Sequence, residues 1–585
     1  MLRLLRKVKK MRSLLSPLSR KTKMFMYLLL LILGTYLINI FILYEMNFVA
    51  HKERNMLVKQ EYVLVHIDLK GAPPTTKYLT SMLSKLKTLG ANGLLMEYED
   101  MFPYKGRIAN LSTPHRYDEE PLKKFLTTAT KMDIEIIPLV QTFGHMEHVL
   151  KLEEYETYRE MLMHPDVICP SKNESLDLIR EMLRQVITFH ESVAPLKHIH
   201  IGCDEVYDIN FCHRCKARKQ DDMDIYLRHV KNVRDIVRSL TPTTTVLIWD
   251  DMLRKIRPGM WQFYEHFDNI EPVVWDYKAH ITISHLSLRF YHDHFSHTWI
   301  ATAFKGADGV ETVLPDIRKR LSNILSWMYF IQGYKFGGES ETHNFKGIVL
   351  TGWARYSHFE PLCELLPVSM PSLIMQLLVV KRFNKGIPAS SLDEDWSVFF
   401  WKHLLEDFYT ALECNDDLRI HIDSFNGCKF NGTFPLYNII RNYTTFVDRM
   451  LNKFKDNDFD LYMQYGNIHM RKTLEFLSDS EGIYGSLRYL EVVSKKAMQR
   501  YFSANVYKEY IGYKSYRLYK LLHQCAMKAK SVVDLRRWGR GRKIPEFPFF
   551  QPPYVTSLTT KDLKKLSTKS VSTYNTRTLG PGIFG

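Results

Sequence analysis

No acidic residue stands before Glu45 in this chain of 585 residues. Nine Lys or Arg fall between Arg3 and Lys23, and 21 uncharged, mostly apolar residues follow, Met24 to Tyr44. The segment lacks a clear small-x-small cleavage site, and the apolar run exceeds the roughly 7–15 residues of a signal-peptide core. A cleaved leader is therefore disfavoured. A purely structural helix is disfavoured too, because nine basic residues would be odd in a buried core segment. About 20 apolar residues span a bilayer as a helix, and positive charge on one flank keeps that end cytosolic. The expectation is a single-pass type II membrane protein. Residues 1–23 form its basic cytosolic tail, 24–44 a signal anchor and 45–61 a stem. The body would face the lumen of the Golgi or secretory pathway, or the cell exterior.

Other absences narrow the field. The net charge is +16, but nine charges belong to the N-terminal flank, leaving 16 − 9 = +7 for the rest. No nucleic-acid motif accompanies the second basic cluster, Lys528 to Lys543, so a solvated tail is expected there rather than a nucleic-acid partner. Cysteine is scarce, eight in all. In the secretory pathway some should pair, Cys414 with Cys428 first. Cys212-His-Arg-Cys215 has no second ligand pair at finger spacing, so a local disulfide or two free thiols is expected there and no metal. Cys203 reads as a small strand residue. Four N-glycosylation acceptors, Asn110, Asn173, Asn431 and Asn442, all follow the apolar run, in agreement with a luminal body.

What is present is alternation. Between Tyr62 and Gly352, short β-branched runs alternate with helical stretches, the pattern of a parallel α/β barrel. Eight strands are predicted: Tyr62–Leu69, Gly93–Tyr98, Ile134–Val140, His198–Cys203, Thr245–Asp250, Pro272–Asp276, Trp299–Ala303 and Gly347–Gly352, with room for a helix in each gap. Met82, Leu83, Leu86 and Leu89 mark one such helix, and Ser171-Lys-Asn-Glu174 reads as a capping box opening another. The fold class is thus α/β, a (β/α)₈ TIM barrel over 62–360. An all-helical C-terminal domain (361–538) and a disordered tail (539–585) follow.

The ten residues His198 to Tyr207 carry the chemistry. An apolar strand runs into Asp204 and Glu205 with no Lys or Arg among them, and barrel enzymes collect catalytic groups at strand C-termini. Adjacent strand residues point to opposite faces. The two acids are therefore not expected to flank one glycosidic bond as nucleophile and acid, roughly 5–5.5 Å apart. Glu205 is expected to protonate a leaving group while Asp204 orients a nucleophile belonging to the substrate.

His-Ile-Gly-Cys-Asp-Glu resembles the catalytic signature of glycoside hydrolase family 20, the β-N-acetylhexosaminidases, its hexosaminidase D branch most of all. The likeness recurs at His66-Ile-Asp68-Leu-Lys-Gly-Ala-Pro-Pro74, Glu97-Tyr-Glu99-Asp100, Gln141-Thr-Phe-Gly144-His145-Met-Glu147, Trp249-Asp-Asp251 and Thr351-Gly-Trp353-Ala-Arg355-Tyr356. It implies retaining, substrate-assisted removal of terminal β-linked GlcNAc or GalNAc, without a cofactor. The substrate's acetamido oxygen would attack, Asp204 would hold the acetamido N–H, and Glu205 would act as general acid and base. It further implies a substrate pocket walled by Trp249, Trp275 and Trp353, with His145 among the acids. Asp68 and its neighbours Glu97, Glu99 and Asp100 are candidates for sugar contacts or for supporting His145.

Three positions depart from the family pattern. Lys70 and Gly71 stand where a sugar-binding Arg is common. Phe304-Lys305 stands where a Tyr is common, for which Tyr277 is the proposed substitute. Arg355 stands where a Glu is common. GlcNAc-versus-GalNAc preference is therefore open, as is a homodimer. Two rival readings are a membrane-tethered protein that binds N-acetylhexosamine without turnover, and a glycosyltransferase suggested only by the topology. A protonated Glu205 implies a mildly acidic optimum.

Overall fold

The structure is a computed structural model that describes residues 60–256, 267–333, 345–385, 396–414, 428–430, 433–456 and 470–535, with Ser19, Thr22 and Thr35 besides. Apart from those three single residues, the expected cytosolic tail, anchor and stem lie outside the described residues up to 59, as does everything after 535. Met1–Lys59 with Arg382–Ser390 forms one compact unit, and Gln60–Lys381 with Ser391–Gly585 forms the other. The first falls almost wholly outside the described residues.

The second unit is built on a closed parallel barrel. Its strands are β1 (Tyr62–Asp68), β2 (Gly93–Glu97), β3 (Glu135–Leu139), β6 (His198–His200), β7 (Thr245–Trp249), β8 (Ile270–Trp275), β9 (Thr298–Lys305) and β10 (Phe345–Gly352). β1 closes the ring by pairing with both β2 and β10. Every predicted strand is found, most with ends shifted by a residue or two. β6 differs more: it stops at His200, three residues before the predicted Cys203. The pair β4 (Arg159–Met161) and β5 (His164–Ile168) forms a separate antiparallel hairpin that hydrophobic periodicity did not announce.

Alternation places the site. Leu64, Leu95, Ile137, Leu139, Leu247, Trp249, Val273, Trp299, Ala301 and Val349 pack as one buried cluster, with Tyr62, Trp275 and Trp353 against it. Each Leu, Ile or Val among them contributes about 1.5–3 kcal/mol on burial. Counting by twos from these residues reaches His66 and Asp68 on β1, Glu97 on β2 and Trp275 on β8. The core faces of β1, β2 and β8 thus end in a polar or aromatic group at the C-terminus. Helices Thr76–Thr88, Glu119–Lys131, Asn173–Glu191, Asp222–Leu240, His285–His294 and Ile317–Gly333 fill six of the gaps. Between β7 and β8 the described residues hold only the 3₁₀ turn Leu253–Lys255.

One local expectation fails. The capping box at Ser171 is not made: Lys172 occupies the cap position of helix Asn173–Glu191 without a side-chain bond. The Ser171 hydroxyl instead accepts from Arg218 Nε at 2.7 Å.

The C-terminal region is helical among its described residues, including Met370–Asn384, Thr433–Asp456, Met470–Met498 and Ala504–Leu535. Cys414 and Cys428 are disulfide-bonded, as expected. Among the described residues, Leu366–Asn384 is the one helix long and apolar enough to cross a membrane. Its apolar side chains as far as Val380 are buried, which marks it as a core helix.

Candidate active site

The segment after β6 does not continue as a strand. Gly202, Cys203 and Glu205 have φ of 68°, 69° and 48°, a left-handed run that breaks the two-residue alternation. This corrects the expectation that Asp204 and Glu205 face apart. Both carboxylates reach the same imidazole nitrogen: His145 Nε2 lies 3.1 Å from Glu205 Oε2 and 3.5 Å from Asp204 Oδ2. His145 itself has φ 51°. Three non-glycine residues in left-handed backbone at one place is costly, of order 1–3 kcal/mol each, and such strain gathers at functional sites. Gly144 makes the approach of the two loops feasible, since a Cβ there would stand 2.2 Å from the Asp204 carbonyl oxygen.

Each acid has its own surroundings. The Glu205 backbone N–H donates to Asp251 Oδ2 at 3.0 Å, and the Tyr207 hydroxyl donates to Glu205 Oε1 at 3.0 Å. Asp204 is 7% exposed, and its Oδ1 is a buried acceptor with no hydrogen-bond partner among the described residues. The buried Trp249 Nε1 is likewise an unmatched donor. Buried polar groups are mostly paired in folded proteins, and Asp204 Oδ1 is an open acceptor on the residue that shares His145 with Glu205, with Asp251 Oδ1 open as well.

The charges follow from this packing. Burial works against protonating His145, but Asp204, Glu147 and Glu205 outweigh it and hold the imidazole well above its ordinary value. Burial also raises Glu205, yet the hydrogen bond and charge of His145 prevail and bring it below the ordinary carboxyl range. Burial pushes Asp204 up to about 7, with Asp251 and Glu205 adding to it against the pull of His145. Asp251 is raised to about 6, again chiefly by burial.

The aromatic wall is continuous. Trp249 and Trp353 have ring centroids 5.9 Å apart, and Trp275 stacks on Tyr277 at 5.1 Å. The Tyr277 hydroxyl interacts with the side chains of Thr351 and Trp353 and feels both Asp204 and Glu205. The structure thus brings Asp204, Glu205, His145, Trp249, Trp275, Tyr277 and Trp353 together.

Asp68 and Arg355 are placed differently. Both Asp68 oxygens are taken by backbone N–H groups, Oδ1 by Lys70 at 2.9 Å and Oδ2 by Ala354 at 2.7 Å. Asp68 therefore clamps the end of β1 to the end of β10, and the expectation of a sugar contact there is corrected. The Arg355 guanidinium pairs with Glu509, on helix Ala504–Leu535. It also covers Gly71 so closely that a Cβ at 71 would fall 1.7 Å from Nη2. Arg355 thus occupies the space at the position where the family commonly has its Arg. Lys70 lies beneath, 2.9 Å from Glu99, 3.5 Å from Glu97 and 3.8 Å from Asp68. Glu97 in turn binds His66 Nε2 at 3.0 Å, and His358 binds Glu99 at 2.5 Å. Glu97 and Glu99 thus support Lys70 and the two histidines, and Asp100 Oδ2 stands 3.9 Å from His358.

Several members of the site were not read from sequence. Asp251 holds the Glu205 backbone, and Asp250 binds Arg254 through both oxygens and takes the Tyr291 hydroxyl at 3.0 Å. Their adjacency to Trp249 was the available signal. Tyr207, two residues past Glu205, was quoted as a motif boundary only. Glu509 had no signal, since it lies about 150 residues downstream in an ordinary helix.

Residues 80–348 match the family model described as Glycosyl hydrolase family 20, catalytic domain. Hexosaminidase D of Bos taurus is 42% identical over 335 residues, which span 56% of this chain and 94% of the bovine protein. Hexosaminidase D of Homo sapiens is 38% identical over 335 residues, 56% of this chain and 67% of the human one. A β-N-acetylhexosaminidase crystal structure from Bacteroides fragilis superposes with a TM-score of 0.43 at 15% identity, over 60% of this chain and 71% of that one.

Proposed function

The chain belongs to glycosyl hydrolase family 20 and is a β-N-acetylhexosaminidase, and from that premise we propose an exo-acting, retaining, substrate-assisted reaction on terminal β-linked GlcNAc or GalNAc. The observation that carries the reading is the open Asp204 Oδ1 beside a Glu205 already gripped by His145 and Tyr207. An acetamido N–H is the donor that Oδ1 lacks. With that bond made, the acetamido oxygen is turned toward the anomeric carbon.

The acetamido oxygen forms a bond to the anomeric carbon as the glycosidic C–O bond breaks. Glu205 gives its proton to the departing oxygen. Ionised Asp204 balances the positive charge gathering on the ring-closed acetamido group. Water then opens the ring, and Glu205 takes its proton, regenerating the acid and retaining configuration. Trp249, Trp275 and Trp353 supply apolar walls for the acetamido methyl and the sugar face. The Tyr277 hydroxyl stands beside the acids as a donor toward the developing intermediate. Arg355 reads the outer sugar hydroxyls, with Glu509 fixing its fork.

The test is hydrolysis of chromogenic β-GlcNAc and β-GalNAc by wild type, Glu205→Gln and Asp204→Asn. Turnover by wild type that either substitution abolishes is expected. A thiazoline analogue of the ring-closed intermediate should inhibit competitively. Well-folded wild type that binds GlcNAc without turning it over would move the protein to the sugar-binding class.

We further propose the type II arrangement, with residues 24–44 as anchor and the body luminal or extracellular. The basic flank before an apolar run supports it. So do the Cys414–Cys428 disulfide and the exposed acceptors Asn110, Asn173 and Asn442.

A further inference from the structure

Cys212 and Cys215 meet a third cysteine, Cys169, from more than 40 residues upstream. Cys169 follows β5, Cys212 caps the short helix His213–Ala217, and Cys215 lies within that helix. Cys169 Sγ is 3.4 Å from Cys212 Sγ and 3.9 Å from Cys215 Sγ, and none of the three is disulfide-bonded. Glu160, from the middle of β4, completes the group: its Oε2 stands 3.2 Å from Cys215 Sγ. The four donor atoms lie within 4.8 Å of one another. Glu160 is 2% exposed, Cys169 2% and Cys215 0%.

We propose that Glu160, Cys169, Cys212 and Cys215 form a structural zinc site that pins the catalytic loop. Tetrahedral zinc with Zn–S near 2.3 Å sets neighbouring sulfurs about 3.8 Å apart, a value between the observed 3.4 and 3.9 Å. Three soft thiolates with one carboxylate suit zinc and exclude calcium and magnesium, which take oxygen ligands. The surroundings are those of a built site. Glu160 Oε1 accepts the N–H groups of Phe211 and Cys212 at 2.8 and 2.9 Å, which leaves Oε2 aimed at the sulfurs. The Cys215 N–H donates to Cys212 Sγ at 3.3 Å. Ser171 Oγ, 3.0 Å from Cys215 Sγ, is held by Arg218. Such outer bonds fix ligand orientation.

A disulfide does not account for this group. Three thiols leave one unpaired whichever two join, and the remainder would be a thiol against the Glu160 carboxylate. The sequence hid the site because the other half of the ligand set comes from the hairpin and the residue just after it, 43 to 55 residues upstream, at no recognised finger spacing. Its consequence is positional. Cys212 follows Glu205 by seven residues, so the metal would tie the loop carrying Glu205 and Tyr207 to the β4–β5 hairpin.

The experiment is metal analysis of the full-length protein, extracted in detergent without chelator. About one zinc per chain is expected, lost in Cys169→Ser and in Cys215→Ser. Because unfolding of those variants would also release zinc, cobalt exchange into wild type gives an independent reading. Thiolate-to-cobalt charge-transfer and tetrahedral d–d bands should appear, and the three cysteines should resist alkylation until a chelator is added. Metal-free wild type overturns the proposal, whether its thiols are free or peptide mapping finds a Cys169–Cys212 bond. So does zinc that persists in both serine variants.

Discussion

His145 Nε2 touches Glu205 at 3.1 Å and Asp204 at 3.5 Å, so the three groups titrate together and their pKa values belong to the set. In the free protein His145 holds its proton well above its ordinary value, Glu205 is depressed and Asp204 sits at about 7. Below about 7 the set therefore carries two protons, on His145 and Asp204. The reaction also needs two, on His145 and Glu205. Substrate has only to move one proton from Asp204 to Glu205, and the acetamido N–H at Asp204 favours that move. Activity should accordingly be high in mild acid and fall as pH rises through about 7, measured as kcat/KM. His145→Asn removes the cation that lowers both acids, so its alkaline limb should move to higher pH. An unmoved limb would mean that His145 is neutral in the working enzyme. Tyr277→Phe should lower kcat by about 10²-fold, on the scale of losing one donor at a transition-state oxyanion, with thermal stability kept. The residues of this set were legible in sequence as motif members. Their convergence was not, because it depends on left-handed φ at Cys203, Glu205 and His145, which strand periodicity cannot express.

Where β1, β2 and β10 end, polar groups join elements that hydrophobic pattern had separated. Lys70 serves Asp68, Glu97 and Glu99, whose side chains are at most 1% exposed. Lys70→Met would leave those carboxylates facing one another, and breaking a buried ion pair of this kind costs about 3–5 kcal/mol. Chemical denaturation should register that loss. The sign with pH follows from Glu99, which Lys70 and His358 hold well below its ordinary value despite burial. A depressed carboxyl stabilises above its unfolded pKa, near 4.3, and loses that contribution as pH falls through the folded value. The gap between wild type and Lys70→Met should thus be full at neutral pH and narrow below about 4.3. A gap that widens in acid would refute the assigned pairing. On the neighbouring strand end, Arg355→Ala should raise KM more than Glu509→Gln does, since the glutamate only steadies the fork and its side chain is 44% exposed. Eight strands could be read from alternation because each lines one core. The hairpin β4–β5 and the reach of Glu509 could not, since neither leaves a period or a spacing. The Ser171 box fails for a related reason: a cysteine and an arginine from another segment claim its hydroxyl.

At the scale of the molecule the question is where this hydrolase works, and that turns on the residues before Gln60. A basic flank of nine charges ahead of 21 uncharged residues should insert with the flank in the cytosol. The full chain expressed in a secretory-pathway host should then stay in the membrane pellet through alkaline carbonate washing. Replacing residues 1–59 by a cleavable leader should release an active body into the medium, because the barrel, the acids and the disulfide all lie beyond them. Topology has its own readout. Asn110 and Asn442 are exposed on the body, so N-glycanase should shift the full chain, and the shift should shrink in steps as Ser112, Ser175, Thr433 and Thr444 are changed to Ala. A full chain that carbonate strips from membranes would remove the anchor, and an unglycosylated chain that resists carbonate would reverse the orientation. In that second case the body would sit in a reducing cytosol, where the Cys414–Cys428 bond would not persist while a thiolate-bound zinc would. Of the two cysteine groups, the disulfide is therefore the one that reports on compartment. A luminal body predicts the disulfide intact and the zinc ligands protected by metal against the same oxidising surroundings.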